Sequence, residues 1–271
     1  MEKRSIDVDQ SALFETSGSE YTVGTVNTHF IPMNKHNLDK YKQLITPLGG
    51  ETVIVCDIDN TLYHPSAGVE ELIDGKLVDY LATVTASREV ALAHKNRYDE
   101  EYGLTVYGAL AELDVELDFY NKYISSTIKY TDYLQRDLVL KSMLDRLNCR
   151  KICLTNGDVS QARGILAALG LTECFEAVVT VDSAVPFFIH KPTEESYQFV
   201  DELFGIENPK SVLFFDDNIK NIEQALVHGW SAHHVQGDSH ISDIIGKAVE
   251  MLYVQTEDLL QDKDKVGVKE N

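Results

Sequence analysis

The sequence predicts an α/β fold: a parallel sheet covered by helices on both faces, with one all-helical insertion. Three observations predict it. From residue 51 onward, short β-branched apolar runs alternate with amphipathic helical stretches, the rhythm of strands buried on both faces. Gly170, Gly205 and Gly229 stand just past helix ends, where a left-handed cap is wanted. Acidic, hydroxyl and amide residues follow directly on the runs at 52–56, 151–155 and 211–215, and such sheets bind ligands at the carboxyl ends of their strands.

In chain order, residues 1–50 read as an N-terminal extension. Its first thirty residues are polar, His36 to Ile45 suits a short helix, and Pro47-Leu48-Gly49-Gly50 breaks the chain ahead of the first strand. Strands are expected at 52–56, 151–155, 177–181, 211–215 and 231–235. Helices are expected at 136–148, 158–169, 193–204, 218–228 and 240–252, with Thr193 and Ser239 as N-caps. The core is therefore 51–63 plus 136–254. Between its two parts, 64–135 shows no strand. Val69, Leu72, Ile73, Leu77, Tyr80, Leu81 and Val84 follow helical spacing there, and further helical stretches run from Ser87 to Tyr102 and from Thr105 to Tyr123. A helical insertion directly after the first strand loop reads as a cap that excludes water and grips the substrate. Residues 255–271 form a charged tail.

Composition narrows the function. With 271 residues, 44% of them hydrophobic, the chain can bury a sizeable core. Its 44 acidic and 24 basic residues leave a net charge of −20, a field that repels nucleic acid and anionic lipid. A small phosphorylated substrate stays compatible, because a local lysine and Mg²⁺ outweigh a distant field screened by salt. The longest apolar runs are strand-sized, and the acidic N-terminus resembles neither a signal nor a transit peptide. The expectation is a cytoplasmic protein, with the nucleus as a second compartment, and no membrane partner. Cys56, Cys149, Cys153 and Cys174 form no Cys-x-x-Cys and read as buried small hydrophobes.

Four clusters carry the chemistry. In Asp57-Ile58-Asp59-Asn60-Thr61, residues one and three of the turn face one space, and two carboxylates that close call for a cation or a proton. Asp57 is the candidate nucleophile and Asp59 the candidate general acid/base, whose backbone carbonyl is also a candidate metal ligand. In Thr155-Asn156-Gly157-Asp158, a hydroxyl and the following N–H groups stand at a helix N-terminus, suited to phosphoryl oxygens. Lys191, in His190-Lys191-Pro192, can neutralise phosphoryl charge. Asp216 and Asp217 end an apolar strand and, with Asp57, complete an oxygen-only set for Mg²⁺. Singly, these are an acidic turn, helix caps and a solvated loop. Together and in order, they supply the separate needs of phosphoryl transfer.

The four clusters resemble the signature motifs of the haloacid dehalogenase superfamily over roughly 51–250, with the insertion in the place of a C1-type cap. The resemblance implies a Rossmann-like core, Mg²⁺ and an aspartyl-phosphate intermediate. It also implies the same roles for Asp57, Asp59, Thr155, Lys191 and Asp217, with Asp216 beside the last. Dehalogenases proper typically lack the second acid, so Asp59 points to a phosphatase. Asp57-Ile58-Asp59-Asn60-Thr61-Leu62-Tyr63, Tyr102-Gly103-Leu104-Thr105 with Gly108-Ala109-Leu110, and Phe215-Asp216-Asp217-Asn218 with Lys220-Asn221 further resemble the fungal and plant pyrimidine 5′-nucleotidases. That branch implies a nucleoside monophosphate, UMP or CMP, as substrate. Eight cap tyrosines (80, 98, 102, 107, 120, 123, 130 and 133) offer faces for a base, although helical packing explains most of them. Tyr102 and Tyr107, flanking Gly103 in an expected loop, are the candidate substrate contacts, with Lys95 and Arg97 as further choices. Alternative readings are a sugar-phosphate or lysophosphatidate phosphatase, a phosphomutase, or a non-catalytic regulatory protein on the same fold.

Overall fold

Val53–Cys56 has no exposed side chain, and the sheet is built around it. The structure, a computed structural model, describes residues 28–237 and 239–251. Its strands are His29–Pro32 (β1), Val53–Cys56 (β2), Arg150–Leu154 (β3), Ala177–Thr180 (β4), Val212–Asp216 (β5) and Ser231–His234 (β6). They form one sheet in the order β1-β4-β3-β2-β5-β6, and every neighbouring pair is parallel. β2 lies between β3 and β5, so the three strands that precede the polar clusters are adjacent and end together.

Alternation along each strand divides the core into two layers. Ile54, Cys56, Cys153, Val178, Leu213 and Phe215 face one side, where Leu138–Arg146 (α6), Val159–Leu169 (α7) and residues 241–251 (α10) cover them. Val53, Val55, Ile152, Leu154, Val179 and Phe214 face the other. There they meet Leu38–Lys42 (α1), Glu194–Phe204 (α8) and Ile219–His228 (α9). Gly170, Gly205 and Gly229 end α7, α8 and α9 at φ +71°, +60° and +106°. α10 starts one residue later than expected, and the His240 ring, rather than Ser239, accepts from the Ser242 N–H at 3.3 Å.

Residues 64–135 contain no strand; they form Val69–Val84 (α2), Arg88–Glu101 (α3), Thr105–Glu112 (α4), Phe119–Tyr123 (α5) and short 3-10 turns. The helix expected over 105–123 is thus two, parted where Leu113 turns extended. Val69, Ile73, Leu77, Tyr98 and Ala109 of these helices are buried in the same cluster as the α7 side of the core.

The N-terminal extension expected over 1–50 needs correcting. From residue 28 the chain belongs to the sheet: Phe30 and Ile31 pair with Val178 and Val179, and Leu38 and Tyr41 of α1 are buried in the second layer. A four-residue strand ending in Pro32 shows too little alternation to register as one, and proline suits its edge position. Residues 1–27, and the tail expected at 255–271, lie outside the described residues. No helix among those described is long and apolar enough to cross a membrane. The four cysteines are free, three buried and Cys149 half-buried.

Candidate active site

β2 delivers Asp57 to the sheet's carboxyl edge, where its N–H donates to Phe215 O of β5 at 2.8 Å. Asp57 is 6% exposed and Lys191 is 1% exposed. The Lys191 ammonium donates to Asp57 Oδ1 at 2.7 Å and to Asp216 Oδ2 at 2.6 Å. Asp216, wholly buried at the end of β5, also accepts from Asn218 N at 2.8 Å and from Asn221 Nδ2 at 2.9 and 3.0 Å. Asp217 is more open: its N–H donates to Thr61 Oγ1 at 3.1 Å, and that hydroxyl lies 3.3 Å from Asp217 Oδ1 and 3.4 Å from Asp57 Oδ2. His234 Nε2 sits 2.8 Å from the Asp217 carbonyl and steadies the loop from β6.

Asp57, Asp216 and Asp217 each bring an oxygen within 4.8 Å of the others. Burial pushes the Asp57 carboxyl well above the usual carboxylate range; Lys191 counteracts this and the neighbouring carboxylates add to it. Burial, then Asp216, pushes Asp217 up to about 6. Burial disfavours the Lys191 charge, but Asp216 and Asp57 outweigh it and hold the ammonium above its ordinary range. One ammonium against three carboxylates leaves uncompensated negative charge on hard oxygen donors. That donor set fits a hard divalent cation.

Asp59 is held apart from this cluster. Tyr63 donates to its Oδ1 at 2.8 Å and Gln161 Nε2 to its Oδ2 at 2.8 Å. Gln161 Oε1 accepts in turn from the Tyr120 hydroxyl at 2.6 Å, which fixes the amide with its NH₂ toward Asp59. Burial raises the Asp59 carboxyl despite these two donors, so the group retains a proton more readily than a surface aspartate.

The loop after β3 is built around Thr155 and Asn156. The buried Thr155 Oγ1 accepts from Gly157 N at 2.9 Å, which directs its own proton elsewhere. The Asn156 side chain is engaged with the neighbouring Lys191 loop. Its Oδ1 accepts from Lys191 N and its Nδ2 donates to Lys191 O, both at 2.8 Å, so the side chain clasps the lysine loop. The Lys191–Pro192 peptide in that loop is cis.

A cavity of about 700 Å³ opens above Asp59, Asn156 and Lys191 and is roofed by α2, α3 and the Tyr102–Val106 turn. Tyr102 lines it, its hydroxyl donating to Glu112 at 2.7 Å. Tyr107 does not: it lies in α4, not in a loop, and packs on Phe188 and His190 with ring centroids 5.2 and 5.4 Å away. Lys95 lines the cavity, whereas Arg97 does not and is paired with Glu112 and with Glu101 of the lining. Tyr80 stacks on Phe119 and Tyr98 is fully buried, as packing residues.

Sequence reasoning missed Gln161, Tyr120 and Glu70, and gave Tyr63 and Asn221 no role. Asp158-Val159-Ser160-Gln161 has the spacing of a capping box, and Asp158 does cap Gln161 N at 2.9 Å. The glutamine side chain, free of that box, reaches Asp59 instead. Asn221, one turn after Asn218 on α9, carries the same kind of helix-face signal.

A family model described as haloacid dehalogenase-like hydrolase matches residues 52–229. The chain is 27% identical over 199 residues to "Phosphate metabolism protein 8" of Saccharomyces cerevisiae, an alignment covering 69% of this chain and 62% of the yeast protein. It is 34% identical over 86 residues to the (S)-2-haloacid dehalogenase of Xanthobacter autotrophicus, over 32% of each chain. The matches thus span less than two thirds of the length of either relative. Among solved structures, the L-2-haloacid dehalogenase of Xanthobacter autotrophicus is similar with a TM-score of 0.43 at 20% identity, over 68% of this chain and 77% of that one. A haloacid dehalogenase-like family hydrolase from Xanthomonas campestris is similar with a TM-score of 0.49 at 11% identity, over 78% and 99%. The family match begins at the strand that carries Asp57, extends past Asp217 and covers more than half of the chain, which therefore belongs to the haloacid dehalogenase-like hydrolases.

Proposed function

We propose that this hydrolase is a phosphatase that cleaves phosphate monoesters through a phosphorylated Asp57, with a pyrimidine nucleoside 5′-monophosphate as its substrate. The observation that carries the reading is Asp59. A halide leaves carbon as a stable anion and needs no proton, whereas an alkoxide leaving phosphorus does. A second, half-buried carboxyl, held by Tyr63 and Gln161 and biased toward its protonated form, supplies that proton.

In the first half-reaction a carboxylate oxygen of Asp57 bonds to phosphorus. The ester P–O bond breaks and Asp59 protonates the leaving 5′-oxygen. In the second, Asp59 takes a proton from water, whose oxygen bonds to phosphorus while the bond to Asp57 breaks, releasing inorganic phosphate. Lys191 and the Thr155 hydroxyl offset charge on the phosphoryl oxygens, and Asn156 keeps the lysine loop in place. Asp57, Asp216, Asp217 and the Asp59 carbonyl are the residues that would hold Mg²⁺, which when bound supplies further neutralisation of that charge. Asp216 is the ligand with the most competing hydrogen bonds, so Asp217 and Asp57 are its freer partners.

The nucleotide assignment rests on the motif resemblance and on a cavity large enough for a nucleoside, with Tyr102 on its wall. The yeast relative's name, a phosphate metabolism protein, agrees with phosphate chemistry. We take residues 64–135 as a C1-type cap over this cavity, with 51–63 plus 136–254 and the β1–α1 segment as the core. The test is phosphate release across nucleotides, sugar phosphates and lysophosphatidate with Mg²⁺. UMP and CMP should exceed the others by roughly tenfold or more in kcat/KM, and Asp57→Asn should lower turnover by roughly 10³-fold or more. Equal rates on UMP, IMP and sugar phosphates would remove the nucleotidase assignment. Isomerisation of a sugar phosphate without phosphate release would mark a phosphomutase.

A further inference from the structure

The cavity has two unlike ends. The core end carries Lys191, Lys220 and Asp59. The cap end carries Glu70, Asp74, Asp99, Glu100 and Glu101, the last of them 2.8 Å from Arg97. Among the described residues, Lys95 is the only cationic side chain that the cap contributes to the lining. Its charge is already matched: Lys95 Nζ lies 2.8 Å from Asp74 Oδ2 and 2.8 Å from Asp99 Oδ2. The other oxygen of Asp99 accepts from the buried Thr105 hydroxyl, which fixes the pair against α4. Glu70 is placed independently. Its Oε2 accepts from Asn60 Nδ2, so one cap carboxylate is anchored to the loop that carries Asp57 and Asp59. Its charge reaches both Asp59 and Asp217.

We propose that this wall is a charge filter for the part of the substrate that does not react, an inference that rests on the phosphatase reading. It admits phosphate monoesters whose remaining group is neutral or cationic, and turns away esters with a second anionic group. A phosphate or carboxylate at the cap end meets several carboxylates and no uncommitted cation, so like charges oppose its binding. Hydroxyl, amino and imide N–H groups instead meet carboxylate oxygens, which accept from them. The filter separates the tasks along the cavity. One anion is bound at the core end, and a second is excluded at the cap end.

Matched substrates test this. UMP and orotidine 5′-monophosphate differ by one carboxylate on the base. Glucose 6-phosphate and 6-phosphogluconate differ by one carboxylate on a sugar of similar size and serve if nucleotides are not preferred. In the full chain with Mg²⁺, we expect kcat/KM for the neutral member of the faster-cleaved pair to exceed that for the anionic member by roughly tenfold or more. The ratio should shrink to within about threefold in Asp74→Asn/Asp99→Asn, and should fall in 0.5 M salt. Glu100→Gln/Glu101→Gln, at more exposed positions, should narrow it too and covers the case in which the first pair fails to fold. Equal kcat/KM within both pairs would overturn the filter and leave the phosphatase standing. A ratio unmoved by both double variants and by salt would trace to shape and also overturn it. No phosphate released from any of the four would overturn the phosphatase reading and the filter with it.

Discussion

The catalytic mouth and the cap wall are both crowded with charge, yet they are built differently. In the mouth Asp57 and Asp216 are buried and tied by hydrogen bonds from other segments: Asp216 alone is reached by Lys191, Asn218 and Asn221. On the cap wall, Asp74 and Asp99 side chains remain 41% and 42% exposed around a single lysine. Buried pairs leave a large penalty when one member is removed, whereas half-exposed pairs are screened and worth little. The mouth is therefore intolerant of change and suited to fixed chemistry. The cap wall can vary in charge without collapse and is suited to choosing substrates.

The largest effect after loss of the nucleophile should come from Asp59→Asn. Turnover of alkyl phosphates should fall by roughly 10²–10⁴-fold. The first turnover of an aryl phosphate with an acidic phenol needs little proton donation and should fall far less, seen as a phenol burst before slow hydrolysis. Equal losses for both leaving groups would remove Asp59 from the acid role. Next come two glycines, one in each region. A Cβ on Gly164 would lie 2.3 Å from the buried Tyr130 ring, and one on Gly108 would lie 2.4 Å from the Tyr98 ring. Gly164→Ala should cost about 1–3 kcal/mol of global stability by thermal unfolding. Gly108→Ala should show a smaller drop in Tm together with a raised KM, because α3 and α4 roof the cavity.

A smaller effect is pH-dependent. The metal-free fold raises Asp217 to about 6 from an ordinary 3.8, so the stability linked to its protonated form is present below about 4 and is lost as pH rises through about 6. Asp217→Asn should match the wild type near pH 4 and exceed it above pH 6 by up to about 2 kcal/mol in denaturant unfolding. Added Mg²⁺ should close that gap by stabilising the wild type alone. A gap that grows toward low pH would reverse the assigned cause. The smallest effect should be Tyr120→Phe, which frees the Gln161 amide to turn its oxygen toward Asp59. kcat should fall by roughly 3–10-fold with KM unchanged, measured on UMP. An unchanged kcat would mean that Tyr63 suffices to orient Asp59.

The same contrast governs what the sequence discloses. Asp57, Thr155 and Asp216 each follow or end a short apolar run, and continuous apolar runs ending in polar residues are readable without a structure. Gly170, Gly205 and Gly229 mark helix ends for the same local reason. Contacts that join distant segments are not readable in this way. Gln161 and Asp59 are 102 residues apart, and no local pattern says that the glutamine leaves its capping position. Nor does any local pattern say that the Asn156 side chain clasps the Lys191 backbone, 35 residues away. Tyr102 and Tyr107 look equivalent about Gly103, but α4 begins at Thr105 and turns the second tyrosine onto Phe188. In the helical insertion, periodicity reports which side chains pack, but it does not say which of them, such as Ile73 and Leu77, also line the cavity.

β1 gives the catalytic layer an unexpected dependence on the chain ahead of it. Pairing of Phe30 and Ile31 with Val178 and Val179 closes one flank of the sheet. A fragment trimmed to begin at the nucleophile strand would leave the backbone donors and acceptors of β4 unpaired along that flank, a template for edge-to-edge sheet association. Chain boundaries for expression or fusion should therefore lie before Thr28, well upstream of the first acidic motif.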